Sequence, residues 1–325
     1  MMNPQHAELF APLKIGAVTL RNRVVAPPMV QVRPITSPEG IGWYRRLAAG
    51  GVGLVIVEAT GIPHFGKELT AKTLRPLTDA VHREGAAIAI QLFPIVFGTT
   101  ADPNELSAEQ IKSIMEGYAN AAAVCRDARF DGVEPHGAHG YLLNQFFMPD
   151  RNRRTDDYGG SFDNRCRIGV EIVEHIRRAA GDRLLILYRH TPVGDGYTVD
   201  ESVAFARKLV AAGLDVLDIS PARKETPADL AAPFKAALRM PVIAVQGMND
   251  PDAAAQALRE GRCDLVAIGR NLITDAQWPV KVRDGRIDEI IKCKECNAAC
   301  FGNLSKGKPV RCVQWKNDEV TAFVS

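Results

Sequence analysis

PVIAVQGMNDPDAAAQALREGRCDLVAIGR, residues 241–270, contains the repeating unit from which the fold follows. An apolar, β-branched run (241–247) ends in glycine, a helical pattern opens after Asp250-Pro251, and a second apolar run (264–270) ends in Gly-Arg. Runs without polar alternation are buried on both faces, and two of them joined by a helix lie parallel. Working outward, the same alternation recurs in VVAPPM (24–29), VGLVIVEA (52–59), AAIAIQL (86–92), DGVEPH (131–136), LLILYRH (184–190) and DVLDIS (215–220). Eight parallel strands separated by helices are expected to close into an α/β fold of the (β/α)8 TIM-barrel type. An open doubly wound sheet is the competitor. It is disfavoured because no G-x-G-x-x-G follows the first run and because polar or glycine residues end nearly every strand.

The intervening segments support this reading. SAEQIKSIMEGYANAAAVCRDA starts with Ser107 and Gln110 in capping-box positions, while SFDNRCRIGVEIVEHIRRAAG and SVAFARKLVAAG each end in the glycine expected just past a helix. The barrel is expected to run over residues 1–285, followed by a cysteine-rich extension at 286–325.

With 325 residues and 46% apolar content the chain can bury a large core. Its 40 basic and 38 acidic residues are interspersed without a basic block, which argues against a nucleic-acid partner. The N-terminus lacks a signal-peptide succession and no apolar run reaches membrane-spanning length, so a cytoplasmic chain with no membrane partner is expected. Seven cysteines, four clustered and three scattered at Cys125, Cys166 and Cys263, suit reduced thiols around a metal better than a disulfide framework.

Strand ends of a parallel barrel line one mouth, where such folds carry their chemistry. Here they offer Pro28, Met29, Ala59, Gln91, His136, Arg189, Ser220, Gly247, Gly269 and Arg270. Glycine amides after the seventh and eighth strands, with Arg270, could hold a phosphate, or could simply be turns that need glycine. Arg189 ends an apolar strand and requires an anionic or acceptor-rich partner, either a ligand or a salt bridge to Glu134 or Asp218. His136, His139 and Tyr141 fall on one turn, where imidazoles can grip an oxygen and a phenol can deliver a proton. A histidine metal site lacks a third ligand at a diagnostic spacing, and ordinary surface histidines are the other alternative. Cys293, Cys296, Cys300 and Cys312, spaced C-x2-C-x3-C-x11-C, fit an iron-sulfur cube or a structural zinc.

LFAPLKIGAVTLRNRVVAPPM (9–29), FDGVEPHGAHGYLLNQFFMPDRNRRTDDYGGSFDNRCR (130–167), PVIAVQGM, DLVAIGR and CKECNAAC together resemble the flavin-dependent Old Yellow Enzyme family. The likeness is greatest to its iron-sulfur branch, which contains 2,4-dienoyl-CoA reductase and trimethylamine dehydrogenase. The resemblance implies FMN across the barrel mouth, with Pro27, Pro28, Met29 and Ala59 against the ring, Gln91 at its pyrimidine edge, and Arg189 at the N1/O2 side. It further implies that Gln246, Gly247, Gly269 and Arg270 hold the phosphate. His136 and His139 would bind the activating oxygen of a small-molecule substrate, Tyr141 would donate a proton, and the four clustered cysteines would ligate a [4Fe-4S] cluster.

The implied reaction is reduction of an activated C=C bond, with amine or N-methyl dehydrogenation as its reverse-direction alternative. A noncatalytic relay or interaction subunit with structural zinc is the alternative from another class. NAD(P)H is an implied electron donor. A separate redox partner protein is expected because only 13 residues follow Cys312, and a homo-oligomer is compatible with the sequence. The text departs from the family pattern after Gln91, where FPIVFGTTADPNE lacks the usual histidine and Gly-Arg pair, and between Ser220 and Pro241, which looks trimmed. The resemblance therefore implies an ene-reductase or a dienoyl-CoA-reductase-like activity without fixing an acyl-CoA substrate. Val30 replaces the threonine or cysteine of relatives near the flavin, and Gln246 a residue that is often small.

Overall fold

Residues 4–96, 100–222 and 230–316 are described by a computed structural model of the chain. Phe97 and the stretch from 223 to 229 fall outside it, as do the residues after 316. An antiparallel hairpin, β1 (Leu13–Ile15) and β2 (Val18–Leu20), precedes the barrel. The barrel strands are β3 (Val24–Ala26), β4 (Leu54–Gly61), β5 (Ala87–Phe93), β6 (Gly132–Gly137), β7 (Leu185–His190), β8 (Val216–Ile219), β9 (Val242–Ala244) and β10 (Leu265–Ala267). Every neighbouring pair is parallel, and β10 pairs with β3 to close the cylinder. The barrel expected from the eight apolar runs is therefore the one observed, with strands shorter than the runs at several positions.

The helices form where their patterns and caps require. The helix Ala108–Asp127 starts with the reciprocal Ser107 and Gln110 capping box, and Phe162–Ala180 ends at Gly181 with a φ of +69°. Inside the cylinder a second apolar layer, including Val25, Ile56, Ala89, Leu187, Val216, Ile243 and Leu265, fills the centre. Strand residues two apart share a face, so the interior column that begins with Ala89, Gly132, Leu187 and Val216 continues upward into Gln91, Glu134, Arg189 and Asp218.

The hairpin was not foreseen from the sequence. Ile15 and Leu20 are buried against Leu54, Ala87 and Leu185, so β1 and β2 seal the floor of the barrel, and each of these side chains contributes about 1.5–3 kcal/mol by leaving water. Gly16, at φ +53° in the two-residue turn, is the first central position of the hairpin loop, where glycine carries no Cβ penalty.

The extension is tied back at three places. Asp275, itself buried, accepts from Lys281 Nζ at 2.6 Å and from the Ile291 amide at 3.0 Å. The Trp315 indole donates to the Ile273 carbonyl at 2.8 Å and packs 6.1 Å from the Trp43 ring, with the Arg46 guanidinium 4.7 Å from its face. The Val310 amide donates to the Gln31 carbonyl at 3.0 Å, and Arg33 returns a bond to the Val310 carbonyl at 3.1 Å. Among the described residues no helix is long and apolar enough to cross a membrane.

Candidate active site

At the C-terminal ends of the strands lies a cavity of about 310 Å³, lined by Pro28, Met29, Ala59, Gln91, His136, His139, Tyr141 and Arg270 among the residues singled out from sequence. Val30 lines it too. Ile273, Cys300, Phe301, Leu304 and Val310 complete the wall, so part of it comes from the extension, which sequence reasoning treated as an appendix. Pro27, Arg189, Gln246, Gly247 and Gly269 are not in the lining.

His136, His139 and Tyr141 come together as expected, by a mechanism the spacing did not show. His136 is the penultimate residue of β6, His139 adopts φ +60° and Gly140 φ +75°, and Tyr141 then caps the helix Leu142–Phe147. The left-handed bend is held by the His139 amide on Thr191 Oγ1 at 2.8 Å and the Gly140 amide on Asn144 Oδ1 at 2.9 Å. His136 sits at the centre, its ring 5.3 Å from His139 and 5.1 Å from Tyr141, with both pairs edge to face. Phe93 supports Tyr141 from 5.1 Å. The phenol is 40% exposed, open to the cavity side.

Both imidazoles are neutral. Burial holds His136 well below the usual histidine range, helped by the nearby His139 and Arg189, and burial then Arg189 push His139 down to about 3. The Ala138 amide donates to His136 Nδ1 at 3.3 Å, which places the proton of the neutral ring on Nε2, a donor available to a substrate oxygen. His139 Nε2 lies 2.9 Å from Ser220 Oγ, and that hydroxyl also accepts from Arg189 Nη2 at 2.9 Å.

Arg189 has the salt bridge that was its alternative reading, with Nη1 3.4 Å from Asp218 Oδ2. Its Nε and Nη1 nonetheless lack a hydrogen-bond acceptor among the described residues although the side chain is buried. Spare donors on a buried guanidinium beside the mouth suit an acceptor-rich ring edge, so the residues present fit the N1/O2 side of a flavin. Gln91 faces the cavity and donates from Nε2 to Glu134 Oε1 at 2.7 Å.

Arg270 lines the cavity and also reaches the cysteine loop, to Asn297 Oδ1 at 3.2 Å and to Glu295 Oε1 at 3.4 Å. Gly247 is exposed with φ +80°, as a turn requires, and Gly269 lies next to Met29.

All four clustered cysteines line one small cavity with Arg270, Ile273 and Thr274. Arg270, Ile273 and Cys300 belong to both cavities and form their common wall. The Glu295 amide donates to Cys293 Sγ and the Gln314 amide to Cys312 Sγ, each at 3.4 Å, and Glu295 and Asn297 have φ of +53° and +57°. Among the described residues no three His, Cys, Asp or Glu side chains are grouped to hold a single metal ion.

A parallel barrel whose mouth sets neutral imidazoles and a phenol above a donor-rich guanidinium is of the flavin-dependent oxidoreductase class. The sequence profile of the NADH:flavin oxidoreductase / NADH oxidase family matches residues 8–97 and 96–289, and the chain belongs to that family. It is 34% identical over 349 residues to an NADH oxidase of Thermoanaerobacter brockii, an alignment that covers 90% of this chain and 53% of the relative. Among solved structures, a 2-naphthoyl-CoA reductase complex superposes with a TM-score of 0.87 at 25% identity, covering 98% of this chain and 58% of that one. Histamine dehydrogenase from Rhizobium sp. 4-9 follows at 0.81 and 27%, covering 95% and 52%. The chain spans about half the length of the curated relatives it matches first. The Old Yellow Enzyme resemblance read from the motifs is borne out.

Proposed function

We propose that this chain is an FMN-dependent oxidoreductase that reduces a C=C bond activated by a neighbouring carbonyl. The observation that carries this reading is the neutral pair His136 and His139 grouped with Tyr141 over one cavity. Bound FMN supplies the hydride chemistry. His136 Nε2–H donates to the substrate oxygen and stabilises the enolate-like charge that develops there, while Tyr141, on the exposed side, delivers the proton to the adjacent carbon. Pro28, Met29, Ala59 and Gln91 would hold the ring, and Arg189 would meet its N1/O2 edge with the donors that have no protein acceptor.

The four cysteines would ligate a [4Fe-4S] cluster. The thiols line one cavity that shares Arg270, Ile273 and Cys300 with the mouth, which would set a cluster beside the flavin. A separate redox partner, or NAD(P)H, would supply electrons.

Likeness to histamine dehydrogenase favours a second reading, in which an amine is oxidised and electrons leave through the cluster. Anaerobic turnover of a panel of α,β-unsaturated carbonyl compounds and of amines separates the two. Reduction of the alkenes supports the first reading; amine oxidation without alkene turnover replaces it with the second. Visible absorbance with iron, sulfide and flavin quantification tests both cofactors, and a colourless protein holding one zinc would defeat either reading.

A further inference from the structure

Directly below the mouth, four inward side chains form a sealed polar layer inside the apolar barrel. Strand register sets Gln91 beside Glu134 and Arg189 beside Asp218. Each acid holds one of the side chains assigned to the flavin: Glu134 Oε1 accepts from Gln91 at 2.7 Å, and Asp218 Oδ2 faces Arg189 Nη1 at 3.4 Å. Glu134 and Asp218 are fully buried, and Glu134 Oε2 and both Asp218 oxygens have no hydrogen-bond donor among the described residues.

Counting charge decides what this layer holds. Two ionised carboxylates beside one guanidinium would leave a buried negative charge without a partner, which costs several kcal/mol. The other titratable groups that face the layer, His136 and His139, are both neutral and supply no balancing charge. One proton placed between the two acids removes the excess and satisfies an orphaned oxygen on each.

We propose that Glu134 and Asp218 share a single proton and act as a positioning pair beneath Gln91 and Arg189, making the electron affinity of the bound flavin depend on whether that proton is present. The inference rests on the flavin reading above for its effect, and on the protein alone for the pair. Burial and then the charge of Asp218 push the Glu134 carboxyl up to about 8, against Arg189 and Gln91, which lower it. Asp218 is raised by burial and drawn back by Arg189, so the proton resides on Glu134.

The test has two arms. In flavin-free protein at neutral pH, infrared spectroscopy should show the C=O stretch of a protonated carboxyl that disappears in Glu134→Gln; a spectrum unchanged by the substitution overturns the pair whether or not flavin binds. In the holoprotein, the midpoint potential of FMN plotted against pH should change slope near pH 8 for the wild type and lack that break in Glu134→Gln. The same break in both proteins overturns the link to the flavin. An infrared band from Glu134 in a protein that binds no flavin would keep the pair and reject the flavin reading instead.

Discussion

Tyr141 is exposed at the mouth, where its ring partner His136 is buried. His136 is buried and His139 exposed, and both are neutral, suited to hold an oxygen, whereas the phenol belongs to an exposed residue of the cavity lining and can exchange its proton with water. Tyr141→Phe is expected to retain FMN while slowing alkene reduction by about 10²-fold or more, the contribution of an oriented general acid, measured by single-turnover kinetics. Undiminished turnover would move the proton donor elsewhere. Arg189→Ala should weaken FMN retention, because the lost donors are the ones with no protein acceptor; equal FMN affinity by fluorescence titration would refute the placement. Gly137 stands between the two histidines with the Tyr188 hydroxyl 2.2 Å from where a Cβ would lie. Gly137→Ala should therefore cost about 1–3 kcal/mol of stability and displace the bend that carries His139, seen as a lower urea midpoint together with lost turnover.

At the scale of elements, the loop after β3 joins the cofactor shelf to the extension. Val32 adopts φ +57°, a strained conformation for a β-branched residue, and it persists because both sides are clamped. Glu58 Oε2 accepts the Gln31 amide at 2.7 Å and the Tyr44 hydroxyl at 3.3 Å, while Val310 bonds the Gln31 carbonyl from the extension. Burial pushes the Glu58 carboxyl up to about 7 against the bonds from Gln31 and Tyr44. Its folded value lies above the unfolded one near 4.5, so its contribution is complete below that pH and is lost as pH rises through about 7. Urea midpoints of wild type and Glu58→Gln should diverge progressively over that window; a constant offset would exclude Glu58 as the titrating group. Trp315→Ala should release the extension, read as faster proteolysis after Ile290, while the barrel keeps its far-ultraviolet dichroism, because Trp315 packs on Trp43 and Ile273 outside the strand cylinder.

The barrel was legible because double-sided burial leaves an unbroken apolar signature in each strand, and Gln91, His136 and Tyr141 were legible because polar residues at strand ends contrast with it. The floor hairpin was not, since KIGAVTL is too short to announce pairing; its alternation about Gly16 was the available signal. Nor were Phe301, Leu304 and Val310 as cavity wall, because their place depends on how the cysteine loop folds back over β3 and β10, a long-range contact without a local pattern.

For the whole molecule, the floor hairpin and the wall formed by Arg270, Ile273 and Cys300 have a kinetic consequence. Ile15 and Leu20 stopper the base, so among the described residues the cylinder opens at its mouth, and on the proposed function a soluble nicotinamide and an alkene would take turns there, giving parallel lines in double-reciprocal plots. On the proposed cluster reading, charge delivered sideways across Cys300 would need no doorway. Refilling can then proceed while the alkene is seated, and excess alkene should leave the rate of refilling untouched when the electron source is a protein, but suppress it when the source is NAD(P)H.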